Sequence, residues 1–183
     1  MPRLVLLLCL AYPLELSAGQ VEEGAVSEDS GVYTLQLNAV LDVDSDRVSA
    51  IISDHPGLHR LSHVIVQSAM LDPPVPGGLR RRLMLHVCIL VFCYKGPLVE
   101  DIVERGPERM TTTVVPELSD FRSGRSEWRI ATLDHRRTRV RLDYVLEPAF
   151  WIPPVIGPWL IKRKMFNIAR EAIDHIEALA HAG

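Results

Sequence analysis

One long amphipathic helix closes a chain whose other segments mostly alternate with the two-residue period of β-strands. In this last segment the apolar side chains recur at helical spacing, at Ile161, Met165, Ile168, Ala172, Ile173, Ile176 and Leu179. The spacing predicts one apolar stripe on a helix of about twenty residues. Because a single sheet cannot bury its apolar face alone, we expect the helix to lie across the concave side of the sheet.

Two segments have the clearest strand pattern. Val32 to Val43 places apolar and polar side chains on opposite faces, as a strand covered on one face does. Trp128 to Leu146 alternates around a turn at residues 134–137 and predicts an antiparallel hairpin with one solvated face. Weaker patterns in residues 96–109 and 109–115 predict two further strands.

A turn rich in proline and glycine, residues 72–78, predicts another hairpin with arms at His63–Leu71 and Arg80–Lys95. The second arm is apolar on both faces, so we interpret it as one strand with apolar contacts on either side. Cys88 and Cys93 would then lie on opposite faces, about 16 Å apart at ~3.3 Å per residue. That separation predicts two free, buried thiols instead of a disulfide.

Two short helices are predicted directly after the first strand. Asp44, Ser45 and Asp46 supply N-cap residues, and Pro56-Gly57 ends the helical segment. The chain therefore orders as strand, short helices, a meander of strands and one long helix. This order indicates the α+β class with an antiparallel sheet.

The N-terminus has the order of a secretory signal peptide: a basic start, an apolar run from Leu4 to Leu14, and small residues before Gln20. We therefore predict that residues 1–19 are removed on export, which leaves a periplasmic or secreted protein. A buried first strand or helix is the competing interpretation. Residues 20–30 are polar, acidic and small, and they predict a flexible leader to a domain at 31–183.

Charge and hydropathy argue against two classes of protein. With 20 Lys+Arg against 23 Asp+Glu, the formal charge of -3 supplies no overall positive field, so we expect no nucleic-acid partner. Beyond the N-terminal run, the longest apolar stretch is Leu83 to Tyr94. It is too short for a membrane-spanning helix of about twenty residues, so we expect a soluble mature protein.

Three segments in this order resemble a known superfamily. They are Asp42–Val48, which open the first helix, Ser53–Leu61, which close the helical pair, and the loop Pro148–Trp159, which precedes a helix ending Ile176–Ala180. Across residues 31–181 the chain is similar to the START-like superfamily of polyketide cyclases, dehydrases and lipid-transport proteins, which includes coenzyme Q-binding proteins. His55 departs from the family pattern, in which an aromatic residue commonly follows the aspartate.

The resemblance implies a helix-grip fold, with a curved sheet of about six to seven strands around the final helix and a ligand pocket between them. Members vary from lipid carriers to cyclases to oligomer-forming partners, so the fold leaves function open. We expect the protein to bind or transport a lipid, quinone or isoprenoid-like molecule, with no cofactor and no particular oligomeric state predicted. A cyclase or dehydratase in the same pocket is the alternative, and a protein-interaction module with a solid core is the third.

The candidate pocket residues are polar and aromatic side chains of the later strands, the proline-rich loop and the final helix. They are His86, Cys88, Trp128, Tyr144, Phe150, Trp151, Trp159 and Met165. His86 and Cys88 are two residues apart on one predicted strand, so the pair could place a proton carrier beside a nucleophile. Polar atoms satisfied within a cavity wall are the simpler interpretation, and no catalytic residue is predicted.

A basic cluster directly follows the second tryptophan of the proline-rich loop. Trp151, Trp159, Lys162, Arg163 and Lys164 together predict a transient contact with an anionic membrane surface. The alternative is a solvated helix start beside a packed loop.

Three histidines at a spacing of four residues, His55, His59 and His63, would share one face of a continuous helix and could hold a metal ion. Pro56 and Gly57 interrupt that helix. We therefore expect surface histidines at a corner of the fold and no metal site.

Overall fold

The computed structural model describes residues 20–73, 77–89, 91–154 and 156–182. The predicted signal peptide at 1–19 lies outside the described residues. The strands are β1 Gln20–Asp29, β2 Val32–Leu41, β3 Ile65–Leu71, β4 Leu79–Ile89, β5 Phe92–Glu104, β6 Arg109–Val114, β7 Phe121–Asp134 and β8 Arg137–Pro148. The α-helices are α1 Ser45–Ile52 and α2 Gly157–Ala182, and short 3-10 helices occupy His55–Arg60 and Pro116–Leu118.

The strands form one eight-stranded antiparallel sheet in the order β1-β2-β8-β7-β6-β5-β4-β3. Strands β3 to β8 are a continuous meander, and α1 with the first 3-10 helix carries the chain from β2 to the edge strand β3. Helix α2 contacts β1, β2 and α1. The predicted α+β helix-grip class is confirmed, with eight strands instead of six or seven. None of the helices in the described ranges combines the length and the apolar character needed to cross a bilayer.

Residues 20–30 are a strand and a turn, and the predicted flexible leader is wrong. Strand β1 pairs with β2 along its length, joined by Ser30 and Gly31, whose φ values of 53° and 86° suit a two-residue hairpin turn. Gly24 lets β1 approach α2, because a Cβ there would collide with the ring of Phe166. A polar segment can form this strand because it lies at an edge with its outer face in solvent. Residues 20–30 therefore belong to the domain that the sequence had placed at 31–183.

The apolar segment Arg80–Lys95 is two strands and not one. Strand β4 ends at Ile89, and β5 begins at Phe92, its partner across an antiparallel hairpin. Glycine and proline, the usual signals of a reversal, are missing from the sequence here. The hairpin brings Cys88 opposite Cys93, with 4.0 Å between the Cα atoms, and the two form a disulfide on the exposed outer face. The prediction of free, buried thiols is therefore wrong, because it assumed a straight strand.

The C-terminal half of α2 seals one end of the hydrophobic core. Ile173 and Ile176 of this helix are fully buried, as are Leu37 and Leu41 of β2 and Val48 of α1. The apolar stripe predicted from the sequence therefore does lie against the concave face of the sheet.

His55 is buried at the corner between the first 3-10 helix and the sheet, which corrects the expectation of a surface histidine. Its Nε2 lies 3.2 Å from a carboxylate oxygen of Glu104, and its Nδ1 lies 3.3 Å from Nη1 of Arg81. Because a guanidinium can only donate, Nδ1 accepts and the ring proton sits on Nε2. Burial, and after it the charge of Arg81, lowers the pKa of His55, against the opposite pull of Glu104 and Asp54.

Replacing Ile173 with Ala should lower the free energy of unfolding by about 2–5 kcal/mol, because the side chain lies in the sealed end of the core. Ile156→Ala makes the same chemical change at an exposed loop position and should cost less than about 0.5 kcal/mol. Urea titration followed by circular dichroism measures both. Equal losses would contradict the placement of Ile173.

His55 should make the fold sensitive to mild acid. A histidine whose folded pKa lies below its ordinary value of 6.5 contributes stability above that pH and loses it as the pH falls toward the folded pKa. We expect the melting temperature of the native protein to fall more steeply below about pH 6.5 than that of His55→Gln, which cannot titrate there. The exposed-site variant His59→Gln should follow the native protein, and parallel curves for all three would overturn the assignment.

Candidate functional site

A cavity of about 690 Å³ lies between the concave face of the sheet and the N-terminal half of α2. Met165, Ile168 and Ala172 form part of its roof, whereas Ile173 and Ile176 further along the helix belong to the sealed core. Most of the wall is aliphatic or aromatic. Pockets for small molecules are typically apolar spaces of roughly 300–1,000 Å³ with a few polar groups, so the cavity has the size and character of a ligand site.

A row of polar side chains runs along the concave face of the sheet at this cavity, one from each of five neighbouring strands, and all of them except Thr112 line the cavity. The row consists of Arg81 on β4, Glu100 on β5, Thr112 on β6, Ser126 on β7 and Tyr144 on β8. Arg81 is directly opposite Glu100, and Ser126 is directly opposite both Thr112 and Tyr144. The strands thus align these groups by register, on the same face as the apolar floor.

The members of the row are joined by a directed set of hydrogen bonds. Nε and Nη2 of Arg81 lie 2.9 and 2.8 Å from one oxygen of Glu100, and the hydroxyl of Thr112 donates to the other at 2.8 Å. Thr112 has then used its only proton, so the Ser126 hydroxyl, 2.8 Å away, must donate to it. The Arg81 and Glu100 side chains are only 7% and 3% exposed, so their charges compensate each other away from water.

Tyr144 ends the row as a hydrogen-bond donor. Burial raises the pKa of its hydroxyl, and the negative charge of Glu100 raises it further. The hydroxyl therefore keeps its proton at neutral pH, and Tyr144 lines the cavity. The floor can thus hydrogen-bond an oxygen atom of a bound molecule while carrying no net charge of its own.

An aromatic cluster holds the start of the proline-rich loop against the sheet. The rings of Tyr94 and Phe150 stack with centroids 4.1 Å apart, and Phe121 meets both edge-on at 6.0 and 5.7 Å. The hydroxyl of Tyr94 donates to Asp120 at 3.2 Å. All three rings also line the cavity. The same aromatic cluster therefore holds the loop in place and forms part of the cavity wall.

The mouth of the cavity is bordered by exposed apolar side chains from two segments. The tip of the β4–β5 hairpin contributes Val91 and Phe92, which are 87% and 53% exposed. The proline-rich loop contributes Trp151 and Ile156, which are 73% and 48% exposed. Exposed apolar groups gathered around an opening are typical of a surface that meets a ligand, a membrane or a partner.

The structure brings several sequence-predicted pocket residues into the cavity wall. These are Trp128, Tyr144, Phe150, Trp151 and Met165. Trp159 lies elsewhere, in a shallow groove beside Gly24 and Val26 of β1, with the guanidinium of Arg163 5.7 Å from its ring centroid. Lys162 and Arg163 border the same groove, whereas Lys164 lies at the cavity.

His86 and Cys88 are exposed on the outer face of the sheet, so their prediction as pocket residues is wrong. Leu85 and Val87, one residue out of phase, face the cavity instead. A shift of one residue on a strand inverts the face, and the sequence alone did not establish which phase was inward. Nε2 of His86 lies 3.5 Å from the sulfur of Cys88, but the disulfide with Cys93 leaves no thiolate for catalysis.

The three histidines at a spacing of four residues, for which no metal site was expected, do not form a metal-ligating group among the described residues. His55 is buried beside Arg81, whereas Nδ1 of His63 pairs with Glu171 at 2.7 Å. A different group, formed by His86 and the two cysteines, has ligand atoms within 4.8 Å of one another. The bond between its two sulfurs removes the thiolates that a soft metal ion would need.

Sequence reasoning missed Arg81, Glu100 and Ser126 as site residues. The alternation of side chains along β4 could have identified Arg81, because Arg81 lies two residues before Leu83 and therefore on the same, cavity-facing side of the strand. A charged residue in phase with buried leucines requires a partner, and that requirement would have pointed to an acidic residue on the neighbouring strand. The pairing of β4 with β5 had to be known before Glu100 could be chosen.

Known structures share this architecture at low sequence identity. An aromatase/cyclase, Zhui, from a Streptomyces species aligns with a TM-score of 0.67 and 14% identity over 82% of this chain and 94% of its own. A protein from Thermus thermophilus aligns at 0.65 and 18% identity, covering 81% and 97% of the two chains. A START superfamily protein from Mycobacterium smegmatis aligns at 0.63 and 15% identity, covering 80% and 98%. These likenesses establish the fold.

The family assignment comes from the sequence itself. None of the curated proteins compared with the chain matches it. The family described as polyketide cyclase / dehydrase and lipid transport matches residues 34–180, which run from β2 almost to the end of α2. By this match over most of its length, and with the helix-grip fold of its START neighbours, the chain belongs to the polyketide cyclase / dehydrase and lipid transport family.

Proposed function

We propose that this protein binds and carries a hydrophobic small molecule, of the lipid, quinone or isoprenoid type, between the sheet and α2. The cavity of about 690 Å³, with its largely aliphatic and aromatic wall, carries the proposal. Its dimensions also argue against the alternative of an interaction module with a solid core.

Burial of the ligand supplies the affinity in this proposal. Each 100 Å² of apolar surface removed from water contributes about 2.5 kcal/mol before the cost of association is subtracted. The polar row then orients the molecule, because Tyr144 and Ser126 offer hydrogen bonds at one place on an otherwise apolar floor. A bound molecule would therefore lie with its oxygen against β7 and β8.

A cyclase or dehydratase is the second candidate, and the polar row is the observation that favours it. The Tyr144 hydroxyl could polarise a carbonyl of a bound substrate. Such an enzyme also needs a group that removes a proton. In the described part of the wall, the carboxylate of Glu100 already accepts from Arg81 and Thr112, and His86 lies on the opposite face. Carriage is therefore the better-supported proposal.

We also propose that the protein acts outside the cytoplasm, in the periplasm or secreted. The signal-peptide pattern of residues 1–19 supports export. The disulfide between Cys88 and Cys93 supports it independently, because disulfides persist in oxidising compartments.

Transient membrane contact would give a lipid-like ligand a route into the cavity. The exposed apolar rim and the basic start of α2, residues 162–164, support this proposal. Apolar side chains beside basic ones suit the boundary of an anionic bilayer.

Filling the cavity should abolish binding. We expect Ala172→Trp, which places an indole in the roof, to weaken ligand retention by at least roughly tenfold, equivalent to about 1.4 kcal/mol. Ala178→Trp makes the same change at an exposed position of the same helix and should bind as the native protein does. Native mass spectrometry of the purified proteins, before and after incubation with lipids and quinones, measures occupancy. Persistent apo mass in the native protein would overturn the proposed carrier function.

Removing an exposed aromatic side chain from the mouth should weaken vesicle binding. Trp151→Ala should reduce co-sedimentation with phosphatidylglycerol-containing vesicles at least about tenfold, because burying a large apolar side chain contributes roughly 1.5–3 kcal/mol. Leu133→Ala is the control, since Leu133 is an exposed apolar residue at the other end of β7 from Phe121. Unchanged binding by Trp151→Ala, or an equal loss in both variants, would reject contact through the mouth.

A further inference from the structure

We propose that the cavity selects molecules whose polar group is uncharged, a hydroxyl or carbonyl on an apolar body, over carboxylates of the same size. This inference rests on the proposed function and names the class of ligand that the same site takes. It is carried by the pairing of charges and the direction of the hydrogen bonds along the polar row.

The floor of the cavity has its charges already compensated. Among the described lining residues the charged side chains are Arg81, Glu100 and Lys164. Arg81 and Glu100 form the buried pair on the floor, whereas the ammonium of Lys164 lies 3.2 Å from Nε2 of His63 in a solvent-exposed contact. A carboxylate bound at the row would therefore meet no unpaired cation.

The guanidinium of Arg81 is also committed by its geometry. Nε and Nη2 point at one oxygen of Glu100, and Nη1 lies 3.3 Å from Nδ1 of His55, which accepts from it. These contacts engage three of the five N–H groups of Arg81. A ligand carboxylate that took Arg81 as its own counterion would take that charge from Glu100, and the Glu100 carboxylate would then be buried without its partner. Breaking a buried pair in this way is strongly unfavourable.

The hydrogen-bonding positions that the row leaves unused suit an uncharged oxygen atom of a ligand. Thr112 donates to Glu100 and Ser126 donates to Thr112, so the Ser126 oxygen has only lone pairs left to offer. The hydroxyl of Tyr144, directly opposite on β8, keeps its proton and makes no hydrogen bond to the described residues. The row therefore offers a ligand hydroxyl both a donor, Tyr144, and an acceptor, Ser126, and it offers a ligand carbonyl the donor. A carboxylate can also accept, but it brings a negative charge close to Glu100.

Calorimetric titration with a matched pair of ligands tests the inference. Decan-1-ol and decanoate have the same chain length, and decanoate is ionised at about pH 7.5. We expect the native protein to bind decan-1-ol at least roughly tenfold more tightly than decanoate. Equal affinities, or tighter binding of decanoate, would overturn the inference while supporting the carrier function. Binding of neither ligand would overturn the carrier function and the inference with it.

Three variants show whether the preference comes from the charge pair. Glu100→Gln keeps the oxygen acceptor but frees the charge of Arg81, so the preference should shift toward decanoate by roughly tenfold or more. The double variant Arg81→Met with Glu100→Gln removes both charges and therefore offers a carboxylate no free cation. It should still bind decan-1-ol, which shows that the cavity survives, and it should lack the gain in decanoate affinity expected of Glu100→Gln. Asp101→Asn removes the neighbouring carboxylate that pairs with Arg80, outside the cavity lining, and should change nothing. A preference unchanged in folded Glu100→Gln would overturn the role of the pair.

Discussion

The packing of α2 against the concave sheet is the contact on which the rest of the molecule depends, and its two halves do different things. At the C-terminal half, Ile173 and Ile176 are fully buried against β2 and α1. At the N-terminal half, Met165 and Ala172 face open space of about 690 Å³. The same apolar stripe thus supplies stability along one stretch and a ligand surface along the other.

The buried pair of Arg81 and Glu100 is hard to explain by stability alone. Replacing such a pair with well-packed apolar residues is often neutral or stabilising, because removing two charges from water offsets their attraction. Here the pair also orders Thr112 and Ser126 into a chain of hydrogen bonds with one direction. We interpret the role of the pair as determining which donor and acceptor atoms the cavity floor presents to a ligand. The carboxylate aligns the hydroxyls, and the guanidinium cancels the charge of the carboxylate.

The sequence predicted the elements that have a repeating pattern of apolar residues. It did not predict a chain reversal, an edge strand or the face on which a side chain lies, because each of these depends on a local feature or on the neighbouring strand. The stripe of α2 and the alternation of β2, β7 and β8 were sufficient for the α+β class with an antiparallel sheet, and the family resemblance implied the helix-grip fold. The reversal before Phe92 occurs without glycine or proline, so the predicted strand continued through it and Cys88 was separated from Cys93. Strand β1 was missed because its polar side chains suit both an edge strand and a leader. His86 was assigned to the wrong face, since phase is set by the pairing of neighbouring strands.

The hairpin of β4 and β5 affects how a ligand reaches the cavity. Its tip carries Val91 and Phe92 along one side of the mouth, and the disulfide behind the tip joins the two strands covalently, in addition to their ladder of hydrogen bonds. The opposite side is the loop that carries Trp151, held to the sheet at its start by the stacking of Phe150 on Tyr94. A braced hairpin faces a loop fixed mainly by packing, so widening the mouth costs least if the loop moves. The exposed indole of Trp151, which would meet a membrane, therefore belongs to the side of the mouth that is easier to displace.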